Sequence, residues 1–174
     1  MGRGKKIVDI ELVIDEAIAL IEEVGVEEFS TRRLASRLGI SAMTLYNYYD
    51  NRGAILKGAF AKGLGMLWKG QEGAASPAGR ADGLGAYRAL ADHVLAFALE
   101  RPKLCRFLLS EGAGVEGSSL PHPAPSREAY LFELLICALA LKVTGGAETP
   151  ERYRELAASG FDLLLAGRGL QSST

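Results

Sequence analysis

Apolar residues recur at every third or fourth position along nearly the whole chain, and no stretch shows the strict alternation of a half-buried β-strand. Because this spacing places them on one face of a helix, the pattern predicts an all-α fold. A hydrophobic content of 48% over 174 residues is sufficient for a buried core. The first helical segment ends at Gly25, and its apolar positions are Ile10, Val13, Ile14, Ala17, Ile18, Ile21 and Val24.

Two short helices joined by a glycine turn follow this first segment. Ser30 is suited to cap a helix over residues 31–38, and Ser41 is suited to cap a third helix. Between them Gly39 can adopt the left-handed backbone conformation of a tight turn. Two short helices connected in this way predict a helix-turn-helix.

A fourth helix is predicted to begin at Asp50 or Asn51 and to contain Gly58, Gly63 and Gly65. Each glycine costs about 1 kcal/mol relative to alanine in a helix interior. The glycines have two interpretations: they make the helix a deformable relay, or they allow close packing. The sequence leaves both open.

The formal net charge of −1 hides a strong segregation along the chain. Residues 29–70 contain seven Lys or Arg and one acidic residue, a net charge of +6, whereas residues 1–28 have three basic and eight acidic residues, a net charge of −5. Residues 71–174 contain ten basic and twelve acidic residues, a net charge of −2. The basic segment predicts a local surface that faces a polyanion.

The third helix carries three tyrosines close together. On a helical wheel Leu45 and Tyr49 fall on the same side and are predicted to face the core. Tyr46 and Tyr48 flank that side, so their hydroxyls can extend outward to phosphates.

The opposite side of the third helix is polar and suited to reading bases. Asn47 can pair with an adenine edge, Met43 and Ala42 can pack on a thymine methyl group, and Thr44 can contact phosphate or base. Arg32 is expected to add positive charge at the start of the second helix, and Arg52 at the start of the fourth.

The stretch "STRRLASRLGISAMTLYNYYDNRGAIL", residues 30–56, resembles the DNA-binding domain of the tetracycline-repressor family. Tyr49 stands where the family usually has phenylalanine, and Arg52 where it commonly has lysine. The resemblance implies a DNA-binding domain over residues 8–53 and a helical ligand-binding and dimerisation domain over residues 54–174. The positions that match the family's DNA contacts are Thr31, Arg32, Ser41, Ala42, Met43, Thr44, Tyr46, Asn47, Tyr48 and Arg52.

The second half is predicted to be helical over residues 86–100, 102–109, 130–143 and 150–166, with loops at 70–85 and 111–125. By the resemblance, its last two helices form a four-helix bundle with a second subunit. Candidates for the dimer interface are Leu134, Ala138, Leu141, Ala157, Gly160, Phe161 and Leu164. Candidates for a pocket that takes a mostly apolar small molecule are Trp68, Tyr87, His93, Phe97, Phe107 and Tyr130.

Other functional classes find little support in the sequence. The two histidines, His93 and His122, show no metal-ligand or nucleophile–base spacing, so neither a cofactor nor an enzymatic activity is expected. Cys105 and Cys137 lie in apolar surroundings without a CxxC spacing and are predicted to be reduced residues of a cytoplasmic protein. The longest apolar run is shorter than the roughly 20 residues that a membrane span needs.

Two functions therefore remain. The first is a homodimeric regulator, most simply a repressor, that binds a near-palindromic double-stranded DNA operator and responds to a small-molecule inducer. The second is a helical protein-interaction module without specific DNA binding. Salt dependence separates them, since specific DNA binding weakens steeply with ionic strength.

Overall fold

The computed structural model describes residues 9–69, 83–110, 127–146 and 149–171. Within these ranges the chain is helical and contains no β-strand, which confirms the predicted all-α class. The described helices are α1 (Ile10–Val24), α2 (Thr31–Arg37), α3 (Ala42–Tyr46), α4 (Arg52–Trp68), α5 (Gly83–Glu100), α6 (Pro102–Ser110), α7 (Arg127–Thr144) and α8 (Pro150–Gln171).

Each of the first four helices is capped by a side chain at its N-terminus. Asp9 accepts a hydrogen bond from the Glu11 amide, and Ser30, Ser41 and Asn51 each accept one from the amide three residues on, at 2.9 to 3.2 Å. These bonds satisfy amides that have no partner within the helix. The predicted caps at Ser30 and Ser41 are confirmed, and Asn51 is the cap of α4.

The turns between the first three helices use glycines in the left-handed region. Gly25 follows α1 with φ 86°, and Gly39 lies between α2 and α3 with φ 64°. The Ile40 amide then donates to the Ala35 carbonyl at 3.0 Å, which closes the turn. The predicted helix-turn-helix connection is therefore present.

One continuous apolar core joins the N-terminal helices to the rest of the chain. α1 packs on α4 and α6, and α7 contacts α5, α6 and α8. Phe60 of α4 meets Phe107 of α6 edge to face, with ring centroids 6.0 Å apart. At the turn before α6, Arg101 forms an ion pair with Glu22 of α1 at 3.0 Å.

Two of the three α4 glycines lie where neighbouring helices approach closely. A Cβ atom at Gly58 would lie 2.6 Å from Ile14 Cδ1 of α1, and one at Gly63 would lie 3.0 Å from Leu108 Cδ2 of α6. Nothing lies within 4 Å of a Cβ at Gly65. Packing accounts for the first two glycines and not for the third.

The small residues of α8 pack inside the subunit, which corrects the prediction that placed them at a dimer interface. Ala157 is buried within the single chain. A Cβ at Gly160 would lie 2.9 Å from Leu135 Cδ2 of α7. Both residues allow α8 to approach α7 of the same chain, so Ala157 cannot face a second subunit while this packing holds.

Candidate nucleic-acid interface

The third helix is held on the domain by two residues that point inward. Leu45 is fully buried, and Tyr49 packs against the core and donates its hydroxyl to the Ile10 carbonyl at 3.4 Å. Burial raises the pKa of the Tyr49 phenol, because the charged phenolate is poorly solvated there. The predicted inward positions of Leu45 and Tyr49 are confirmed.

The helix itself is shorter than the helical wheel assumed. α3 ends at Tyr46, and Asn47 and Tyr48 continue as a turn in which their amides donate to Thr44 and Leu45 carbonyls at 3.3 and 3.0 Å. Asn51, the N-cap of α4, has an extended backbone, so the helical path of α3 ends before it. Asn47 is therefore the C-cap of α3 rather than a residue of its interior.

The outward side chains of α3 and the following turn form one exposed surface. Met43 is 73% exposed, Tyr46 46% and Tyr48 38%, and Asn47 is also exposed. Ala42 and Thr44 are half-buried at its edge. This surface, here called the α3 face, consists of Ala42, Met43, Thr44, Tyr46, Asn47 and Tyr48.

Ser41 and Thr44 form a preorganised hydroxyl pair at the start of the α3 face. Ser41 Oγ accepts from the Thr44 amide at 3.1 Å and lies 2.9 Å from Thr44 Oγ1. Each hydroxyl carries one hydrogen, and one of these two hydrogens forms the bond between the hydroxyls. The pair therefore keeps one O–H donor for a phosphate or a base.

Thr31 and Tyr46 form a second hydroxyl pair, which links α2 to the end of α3. Their oxygens are 3.0 Å apart, and here too one O–H donor stays free. The bond fixes the direction in which the Tyr46 hydroxyl leaves the domain. Both residues were predicted as DNA contacts, but their mutual bond joins positions 15 residues apart and could not be read from local spacing.

Arg52 lies at the start of α4, as expected, and also bonds to the loop between α1 and α2. Its guanidinium donates from Nη2 to the Val26 carbonyl at 2.7 Å and from Nε to the Phe29 carbonyl at 3.3 Å. The guanidinium carbon also lies 5.6 Å from the centroid of the Phe29 ring. These contacts direct the charge toward the loop between α1 and α2, whereas the sequence suggested a charge aimed at the DNA backbone.

Part of the basic segment is neutralised by the acidic first helix and the loop after it. Arg37 of α2 pairs with Glu16 and Glu23 of α1, and Arg33 pairs with Glu28 at 3.0 Å. The hydrogen bonds that Arg37 donates to Glu16 and Glu23 raise the pKa of Arg37. These pairs are partly exposed and add little stability, but they lower the positive potential of the segment.

Lys62 of α4 also pairs with an acid of α1, Asp15, at 2.5 Å. The net charge of +6 counted along the sequence therefore overstates the positive charge of the folded surface. Arg32, by contrast, is exposed at the start of α2 and forms no ion pair with any residue that the structure describes. Arg32 therefore stays available to a polyanion.

The pocket candidates that can be located are mostly core residues. Phe97 and Phe107 are buried, and Phe107 packs on Phe60. His93 is half-buried with Nε2 2.5 Å from the Leu67 carbonyl, so its ring is held by a backbone partner. The side chains outside the described part of the structure are those of Trp68, Tyr87 and Tyr130.

An exposed apolar surface lies on α7 and α8. Leu141 and Ala138, two of the predicted interface residues, are exposed in the single chain. Leu156 and Leu163 are also exposed, Leu163 by 75%, and neither was among the predicted interface residues. Their apolar character at exposed positions of α8 was the available signal. The remaining interface candidates have side chains outside the described residues: Leu134, Phe161 and Leu164.

Neither cysteine forms a disulfide. Burial raises the pKa of the Cys105 thiol to about 12. No group of three metal-binding side chains occurs among the described residues, and none of the described helices is long and apolar enough to cross a membrane.

The helix-turn-helix region is similar in sequence to known regulatory proteins. Residues 13–59 match the family model of bacterial regulatory proteins, tetR family. Tetracycline repressor protein class D of Escherichia coli is 46% identical over 46 residues, which cover 26% of this chain. The match spans only 21% of that relative's length.

Solved structures share the fold over most of the chain. A TetR transcriptional regulator from Rhodococcus sp. RHA1 aligns with a TM-score of 0.61 and 18% identity, covering 90% of this chain and 95% of its own. The multidrug binding protein EbrR, complexed with imidazole, aligns with a TM-score of 0.53 and 17% identity, covering 92% and 96%. Residues 13–59 therefore match the tetR family of bacterial regulatory proteins, and the chain shares its fold with these solved structures over most of its length.

Proposed function

We propose that the chain is a homodimeric transcriptional repressor that binds a near-palindromic operator through the α3 face of each subunit. The observation that carries the proposal is this exposed face, mounted on buried Leu45 and bounded by the two hydroxyl pairs. Members of the family are transcription factors rather than enzymes. Two copies of the α3 face would enter successive major grooves about 34 to 36 Å apart.

Each part of the α3 face has its own role in the proposal. Four residues at the centre or the margin of the α3 face contact the bases: Asn47, Met43, Ala42 and Thr44. The hydroxyls of Tyr46 and Tyr48 contact phosphates, and Arg32 adds charge beside them.

Selection of bound duplexes from a random pool tests the proposal directly. We expect a recovered site with two-fold symmetry and a half-site separation of about one helical turn. Recovery of unrelated sequences, or of no DNA, would refute it.

Substitution separates base reading from phosphate contact. Asn47→Ala should relax preference at particular base pairs, whereas Arg32→Ala should weaken binding to all sequences about equally and lower the salt slope by about 0.9. If the two variants behaved alike in competition between duplexes, the role of Asn47 would be wrong.

Dimerisation is proposed through the exposed apolar surface of α7 and α8. Leu141, Leu156 and Leu163 expose large side chains that a second copy of the same surface would cover. The same leucines favour the alternative function, a helical module that binds another protein without binding DNA. Affinity for the selected duplex that falls steeply with salt would support the repressor, and flat salt dependence would support the module.

A ligand response is proposed by likeness to the family. An apolar small molecule bound among α5 to α8 would have to bind one spacing of the two α3 faces better than the other. Arg101 and Glu22, whose ion pair joins α6 to α1, would be one connection between the two parts of the chain. Release of the selected duplex by a small apolar compound is the expected result.

A further inference from the structure

We infer that Arg52 positions the recognition helix through its bonds to the loop between α1 and α2 and does not act as a phosphate contact. The inference rests on the proposed DNA binding and concerns how the same surface is held. It departs from the sequence expectation, in which Arg52 supplied charge to the DNA backbone.

Arg52 joins two segments that lie on either side of α3 in the chain. It is the first residue of α4, and its guanidinium reaches the loop that leads into α2. Both carbonyl partners belong to residues that are themselves buried, Val26 and Phe29. Since α3 lies between α2 and α4, fixing the start of α4 to the start of α2 fixes the path that the chain takes through the α3 face.

The chemistry of this anchor requires an arginine. A planar guanidinium can donate to two carbonyls while its face lies near an aromatic ring, and its donors point in fixed directions. A lysine ammonium carries the same charge but is a single point with no plane to lay against Phe29. Its three donors share one nitrogen, so they cannot reproduce the two bonds that Arg52 makes from separate nitrogens, Nε and Nη2.

Phosphate contact and positioning therefore predict different results for Arg52→Lys, which keeps the charge. Arg32→Lys is the matched control, because Arg32 is exposed and makes no ion pair with the described residues. For Arg52→Lys we expect the Kd for the selected duplex to rise about tenfold or more with an unchanged salt slope. Arg32→Lys keeps the charge at a proposed phosphate contact, so it should raise the Kd far less than Arg52→Lys does, with the same salt slope.

A spectroscopic measurement reports the position of the recognition helix without DNA. Met43 is highly exposed on α3, so the NMR resonance of its ¹³C-labelled methyl group senses that surface. We expect Arg52→Lys to shift this resonance and Arg32→Lys to leave it in place. The resonance is identified by its loss in Met43→Leu.

Phe29→Leu provides a second test that changes no charged residue. Phe29 is buried and cannot touch DNA, but its ring lies against the Arg52 guanidinium. Measured well below its melting temperature, this variant should also bind the duplex more weakly and shift the Met43 methyl resonance.

Three results would overturn the inference. The first is that Arg52→Lys binds like the unchanged chain and Arg52→Ala lowers the salt slope by about 0.9. This result would make Arg52 a phosphate contact. Arg52→Lys could instead lower the melting temperature with the Kd and the Met43 resonance unchanged, which would make its role merely structural. If the unchanged chain bound no DNA, the proposed function would fail, and an unshifted Met43 resonance in Arg52→Lys would then refute the inference separately.

Discussion

Gly65→Ala should stabilise the protein, whereas Gly58→Ala in the same helix should not. Both positions lie inside α4, where alanine is favoured over glycine by up to about 1 kcal/mol. At Gly65 the added methyl meets nothing within 4 Å, so most of this gain should appear in the free energy of unfolding, about 0.5 to 1 kcal/mol near the helix end. At Gly58 it would lie 2.6 Å from Ile14 Cδ1, a contact that real Cβ atoms do not make.

The clash at Gly58 forces Ile14, which is buried between α1 and α4, to move or change rotamer. Overpacking of this kind costs about 1 to 3 kcal/mol, which cancels or exceeds the gain in helix propensity. We therefore expect Gly58→Ala to be neutral or destabilising by up to about 2 kcal/mol.

Urea unfolding followed by circular dichroism measures both changes. Ala61→Gly, at an exposed position of the same helix, is the control and should lose about what Gly65→Ala gains. A stabilisation by Gly58→Ala as large as that of Gly65→Ala would refute the packing argument. Because Gly65 has no packing role, it is also the glycine to test as a relay: unchanged ligand response in Gly65→Ala would remove that interpretation.

Three further predictions follow from single contacts. Thr31 and Tyr46 share one hydrogen bond, so the effects of Thr31→Val and Tyr46→Phe on DNA affinity should be non-additive. A double-mutant cycle should give a coupling of about 0.5 to 1.5 kcal/mol, and strict additivity would contradict this. Tyr153→Phe should lower the free energy of unfolding by about 1 kcal/mol, since the buried Tyr153 hydroxyl donates to the Lys142 carbonyl at 2.9 Å; an unchanged urea midpoint would contradict it. Cys105, with its pKa raised to about 12, should resist alkylation in the native protein at pH 8. The raised pKa stabilises the folded state below the pKa of an unfolded cysteine, about 8.5. This contribution to the free energy of unfolding should be lost as the pH rises toward 12.

The local features of the DNA-binding domain could be predicted because their causes lie within a few residues. A serine oxygen reaches an amide three positions ahead, as at Ser30 and Ser41, and a glycine such as Gly39 adopts a turn conformation that other residues avoid. The inward positions of Leu45 and Tyr49 followed from helical spacing in the same way, although the helix itself ended earlier than the wheel assumed.

Contacts between distant parts of the chain had to be seen in the fold. Counting charges along the sequence could not show that Arg37 and Lys62 pair with acids of α1. The sequence placed the small residues Ala157 and Gly160 on α8. Whether they pack on α7 of the same chain or on a second subunit depends on where α7 lies.

By itself the sequence determined the helical class, the caps and turn of the helix-turn-helix, and the family resemblance, because each depends on short-range spacing and backbone preference. Only the tertiary structure decided which charges are paired, which α4 glycines are packed, and that Arg52 bonds to the loop between α1 and α2. The reason is physical: hydrogen bonds, ion pairs and close packing act over a few ångströms in space, and the residues that they join here are separated along the chain by as many as 80 positions.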